Sequence, residues 1–135
     1  LDLIIFMLGT NDLKIRFFTS VSDIAKNTGE LIKHARGDLS YLQGYGPKIL
    51  LIAPTVIGNT IDTSMFGPAF PGKKSVSYSM KLADKLRETA GRLSCNFLNA
   101  ADIVKPNDVD AIHLTPQGHR VLGEAAARKV EEIYM

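Results

Sequence analysis

The residues best suited to chemistry are a carboxylate and an imidazole, Asp110 and His113, spaced D-x-x-H in a loop ahead of the last helical segment. At that separation one turn of chain can bring the carboxylate against a ring nitrogen. There it fixes the tautomer and stabilises the imidazolium, which is what a general base working near neutral pH needs. Taken alone the pair says little, because surface coincidences produce the same spacing. Asn11 is equally ambiguous by itself, since Asn after a strand is often a turn former. An Asn amide aimed at a site beside a histidine base is, however, an oxyanion donor, worth roughly 2.7–4 kcal/mol where one such donor was removed. Of the other candidates, His34 reads as a surface residue near a helix C-terminus. Cys95 reads as a small buried apolar residue rather than a nucleophile.

These residues need elements to carry them. Leu1–Leu8 is an apolar run without alternation, which predicts a strand covered on both faces, closed by Gly9. Its carboxyl end carries Thr10, Asn11 and Asp12, where open α/β sheets place their ligands. Ser20 is an N-cap with Asp23 completing a capping-box variant. Val21, Ile24, Ala25, Thr28, Leu31, Ile32 and Ala35 then form one helical face ending at Gly37. A loop at Gln43–Pro47 leads to a second two-sided strand, Lys48–Ala53, ended by Pro54. The stretch Thr55–Lys74 is long and rich in Gly and Pro, as functional loops often are. Its Ile57, Ile61, Met65, Phe66 and Phe70 either build a substrate pocket or lid, or anchor the loop to the body; the sequence favours neither.

A second helix starts at Ser75 or Ser77, with Val76, Met80, Ala83, Leu86, Ala90 and Leu93 expected inward. The third strand is Asn96–Leu98, followed by a loop over Asn99–Asp110. Thr115-Pro116 then starts the last helix, with Val121, Leu122, Ala125, Ala126, Val130 and Ile133 inside. Strict strand–helix alternation means parallel strands with right-handed crossovers. The expected fold is therefore α/β: a three-layer α/β/α sandwich on a flavodoxin-like parallel sheet, one domain over residues 1–135. All three strands end on one rim, so Asn11 and the loop before the last helix can meet there.

Bulk properties narrow the function classes. With 135 residues, 45% apolar and 22% charged, the chain can bury a real core. The net charge is +2, no basic run is longer than a doublet such as Lys73–Lys74 and Trp is absent, which argues against nucleic acid. No apolar stretch is long enough for a membrane span. A single cysteine excludes an internal disulfide framework and leaves the compartment open, with the cytoplasm favoured.

Together the blocks resemble a known family. Gly9-Thr10-Asn11-Asp12 is similar to the G-x-N-D block of the GDSL, or SGNH, hydrolases. Asp110-Ala111-Ile112-His113-Leu114 is similar to their D-x-x-H block, placed before the C-terminal helix. The likeness is closest to the arylesterase or acyl-esterase branch, through His113-Leu114-Thr115, Gly118-His119 and Leu122-Gly123. The resemblance implies a serine esterase that cleaves a small-molecule ester, with short acyl or aryl groups expected, through an acyl-Ser intermediate. It also implies that Asn11 supplies an oxyanion-hole amide, that His113 is the base and Asp110 its orienter, and that no metal or organic cofactor takes part. Thr10, Met65, Phe66 and Phe70 are the expected substrate-binding residues, and an acetylated sugar is as compatible as an aryl ester. Asp12 is expected to shape the turn, and His119 to be structural or to line the pocket.

Two departures stand out. Ala111 occupies a position where the family commonly has Gly, and is strained there if that position needs a positive φ. The family's nucleophile, a Ser in a G-D-S block, and its second oxyanion block are not found; Ser20, Ser22, Ser40, Ser64, Ser75, Ser77, Ser79 and Ser94 lie in no such context. The expectation is a C-terminal part of a longer enzyme, with two further strand–helix units, on the order of 60–80 residues. In the flavodoxin-like order 2-1-3-4-5 they would lie beside Leu1–Leu8. That edge is then expected to pair with a second copy or with an N-terminal piece. The alternatives are a non-catalytic carbohydrate- or lipid-binding relative, and a nucleotide-binding flavodoxin-like domain, for which no G-x-G-x-x-G is present.

Overall fold

The apolar run Ile49–Ala53 is buried along its whole length, and the rest of the chain is layered around it. The computed structural model describes residues 1–37 and 46–135. Strands β1 (Leu3–Phe6), β2 (Lys48–Ala53) and β3 (Asn96–Asn99) pair in parallel in the order β1-β2-β3. The register sets Ile5 beside Leu50 and Leu51 beside Phe97. Helices α1 (Val21–Gly37), α2 (Lys74–Arg92) and α3 (Pro116–Tyr134) follow the strands in turn. Residues 43–45 of the expected loop, and Ser40, lie outside the described residues.

Because side chains alternate across a strand, β2 feeds two cores. Ile49, Leu51 and Ala53 pack with Ile24, Ala25 and Ile32 of α1 and with Leu82, Ala83, Leu86 and Ala90 of α2. Leu50 and Ile52 pack on the other face with Leu122, against which Val121, Ala126, Val130 and Ile133 of α3 also lie. Full burial of such side chains is worth about 1.5–3 kcal/mol each, against at most about 1 kcal/mol for an exposed ion pair such as Lys33–Glu30. The sandwich is held by this central strand. The ends are tied by polar contacts: Arg36 donates to the carbonyls of Leu93 and Ser94, and the Tyr134 hydroxyl donates to that of Asp2.

Several sequence expectations change. β1 is shorter than Leu1–Leu8 and is not covered on both faces: Ile5 is 47% exposed and Leu8 50%. It is the edge strand of the described sheet, and only Ile4 and Phe6 reach the α1–α2 core. In α1, Ser20 does cap the helix, accepting from the Asp23 amide at 3.1 Å and donating to its carboxylate at 2.6 Å, but Leu31 is exposed. In α2 the inward face is rotated: Met80 is exposed, while Ser75, Ser79 and Leu82 are buried. Ser79 is cheap to bury because its hydroxyl donates to the Val76 carbonyl and accepts from the Ile57 amide. The Thr55–Lys74 stretch runs through two short 3₁₀ turns, with Ile57, Ile61 and Phe70 in the core. Those three residues are anchors. No described helix is long and apolar enough to cross a membrane.

Candidate active site

Two turns meet at the carboxyl rim of the sheet. The first follows β1. Gly9 is buried at φ +122°, and a Cβ there would stand 2.9 Å from Leu82 Cδ2, so the chain leaves the strand at a point only glycine fits. A single 3₁₀ turn, Asn11–Leu13, comes next, with Leu13 buried and Asn11 and Asp12 exposed. Backbone bonds from Asp12 to Gly9 and from Leu13 to Thr10 hold the turn. The Asn11 carboxamide makes no hydrogen bond to any described residue and remains open to a ligand.

The second turn precedes α3 and is far more heavily bonded. Asp110 Oδ2 lies 2.9 Å from His113 Nδ1. Asp110 Oδ1 accepts from the amides of Ile112 and His113, both at 2.8 Å, and from Asn107 Nδ2 at 3.0 Å. Partial burial alone would raise the Asp110 pKa. The hydrogen bonds from the His113 and Ile112 amides, the His113 ring and Asn107 outweigh it and hold the carboxyl well below the usual carboxylate range. An ionised Asp110 bonded to Nδ1 leaves Nε2 as the basic nitrogen of neutral His113.

The same turn carries backbone strain. Ala111 is fully buried at φ +65°, so the position that resembles a family glycine does demand a left-handed residue. Such a conformation costs an L-residue roughly 1–2 kcal/mol. It is fixed from both sides: the Ala111 amide donates to the Asn107 carbonyl at 3.0 Å, and its own carbonyl accepts from Gly58 at 2.7 Å. A Cβ on Gly58 would meet Ala111 Cβ at 3.1 Å and Cα at 3.2 Å. Neither Gly58 nor Asn107 was singled out by sequence; for Asn107 the N-x-x-D spacing of an Asx turn was the available signal.

His113 and Asn11 line one open cavity of about 280 Å³ together with Thr10, Asp12, Thr55, Ile112 and His119. Thr10 and His119 therefore stand on its wall; among the described residues no serine does. Phe66 packs edge-on against His113, ring centres 5.6 Å apart. Met65 is 80% exposed beside it in sequence. Phe70 belongs to the core, 2% exposed, with the Lys14 ammonium 5.9 Å from its ring centre, and it does not line the cavity. Cys95 is half-buried, and burial pushes its thiol up, opposed by Arg36. No group of His, Cys, Asp or Glu among the described residues is arranged to hold a metal ion. The arrangement can take a proton at His113 beside a free amide donor at Asn11.

The chain as a whole is similar to known proteins. The sequence model of the GDSL-like lipase/acylhydrolase family matches residues 2–121. Among solved structures, a carbohydrate acetylesterase from Sinorhizobium meliloti is 30% identical with a TM-score of 0.87, over 98% of this chain and 61% of its own. An aryl esterase from M. smegmatis is 29% identical with a TM-score of 0.85, over 98% and 61%. An acetylxylan esterase from Geobacillus stearothermophilus, at 15% identity and a TM-score of 0.63 over 96% and 59%, shares the fold. This chain thus spans about 60% of the length of these proteins. No curated protein matches the chain.

Proposed function

Because the chain belongs to the GDSL-like lipase/acylhydrolase family, we propose that it supplies the proton-transfer and oxyanion groups of a serine esterase acting on short-chain acyl or aryl esters. The observation that carries this reading is the 2.9 Å contact of Asp110 with His113 on the wall of the cavity that Asn11 also lines. His113 Nε2 takes the proton from a serine hydroxyl as its oxygen attacks the ester carbonyl. The Asn11 amide donates to the oxyanion, and the imidazolium, balanced by Asp110, returns the proton to the leaving alcohol. Water repeats the sequence on the acyl-serine and releases the acid.

The serine itself comes from outside these 135 residues, on a segment that pairs with the edge of β1. Support for that partner is the apolar surface along the strand, where Ile5, Met7 and Leu8 are each about half exposed. The relatives' printed activities, on acetylated carbohydrates and aryl esters, favour a small acyl group, and Phe66 packs edge-on against the imidazole of His113.

The test is p-nitrophenyl acetate hydrolysis by the full-length protein and its His113→Ala variant. The proposal expects hydrolysis that His113→Ala abolishes. Equal rates would reject it, as would substantial hydrolysis by residues 1–135 alone.

A further inference from the structure

Asn107 uses every polar group it has inside one seven-residue turn. Its amide donates to the His113 carbonyl at 2.8 Å and its carbonyl accepts from Ala111 at 3.0 Å. Its side-chain Oδ1 accepts from the amides of Val109 and Asp110, both at 2.9 Å. Its Nδ2 donates to Asp110 Oδ1 at 3.0 Å and to the His113 carbonyl at 2.8 Å. One side chain therefore touches both members of the acid–base pair and the backbone between them.

From this geometry we infer that Asn107 is the positioning residue of the pair: Oδ1 sets the turn that presents Asp110, and Nδ2 occupies Asp110 Oδ1 so that Oδ2 is left for the imidazole. The inference rests on the esterase reading above. Two features make it a division of labour rather than general bonding. Oδ1 of Asp110 already has three donors, so the imidazole is directed to the other oxygen. The Asn107 Oδ1 also takes the Val109 and Asp110 amides, fixing the turn just ahead of the left-handed Ala111. Asn107 does not itself line the cavity and so acts through Asp110 and His113.

The Asn and Asp side chains separate these roles. Aspartate at 107 keeps the Oδ1 acceptor and the turn but replaces the donor with a second anion facing Asp110. Alanine loses both. The groups facing His113 are Asp110 and the Phe66 ring, with Asp12 and His119 on the same cavity wall, so an added carboxylate at 107 would act on a pair that has one anionic partner in contact.

The experiment measures kcat, KM and the pH profile of the full-length protein with p-nitrophenyl acetate for Asn107→Ala, Asn107→Asp and His113→Ala. Asn107→Ala is expected to lower kcat about 10²-fold, the scale of a 1 Å misplacement. KM should stay within about twofold, because ground-state binding is untouched. Its acid limb should move to lower pH, as the imidazolium loses an aligned carboxylate. Asn107→Asp keeps the turn but loses the Nδ2 donor, so it should recover only part of kcat and move the acid limb to higher pH. The inference is overturned if Asn107→Ala keeps kcat and its acid limb, or if both 107 variants lose kcat equally with the acid limb unmoved. Full activity in His113→Ala would instead remove the esterase reading beneath it.

Discussion

The turn that carries His113 and the turn that carries Asn11 face the same cavity but are held by different means. Residues 107–113 form a closed net in which Asn107, Asp110 and the backbone satisfy one another, down to a left-handed Ala111 clasped by Gly58. Asn11 sits on a single 3₁₀ turn with backbone bonds only and a carboxamide bonded to no described residue. The difference fits the two tasks that the proposed esterase reading gives these residues. A general base must be held in one tautomer and one orientation before substrate arrives, and a side chain three residues from its carboxylate can be held by local chain alone. An oxyanion donor must keep its hydrogens free for the substrate, so its placement has to come from the strand beneath it, through Gly9.

Breaking the closed net should have the largest effect. Asp110→Asn keeps the shape but offers an amide to Nδ1 and favours the wrong tautomer; in a serine protease triad that change lowers kcat about 10⁴-fold. Full-length kinetics on p-nitrophenyl acetate should show a loss of that order. The variant also tests stability. With its folded-state pKa depressed, Asp110 stabilises the fold above the ordinary carboxylate range and loses that contribution only as pH falls through its lowered value. Denaturant unfolding should therefore find Asp110→Asn less stable than the parent at neutral pH, with the gap closing in strong acid.

Removing the open donor should cost less. Asn11→Ala is expected to lower kcat about 10²–10³-fold, with the melting temperature nearly unchanged because nothing described leans on that carboxamide. A large loss of stability would contradict the comparison. The smallest of these effects on chemistry, but a clear one on the fold, is expected from Gly58→Ala. Its Cβ would meet the Ala111 backbone at 3.2 Å, and overpacking of this kind typically costs about 1–3 kcal/mol. Thermal melts should show the loss, together with a weaker Asp110–His113 contact.

The comparison also marks what the sequence could carry. Unalternating apolar runs located β2 to the residue, and the strand–helix alternation gave the parallel sheet, because burial on both faces leaves a composition signature. The Asp110–His113 pair was legible from spacing. What periodicity could not convey was rotation within a face: α2 turns Ser79 inward and Met80 outward because a serine hydroxyl that bonds its own helix is almost as easy to bury as an alanine. Nor could a run of apolar letters reveal that Ile5 is half-exposed in the described sheet, which is decided by what stands next to it. Gly58 was illegible for the same reason: its contact with Ala111 spans more than a third of the chain and depends on two loops converging.

The central claim, that the chain itself holds His113 ready as a base, is tested most directly by nitrogen NMR of the labelled imidazole above its titration. The structure predicts a neutral ring protonated at Nδ1, with that proton hydrogen-bonded to Asp110, and Nε2 bare. A ring protonated at Nε2, or one exchanging freely between the two tautomers, would contradict it.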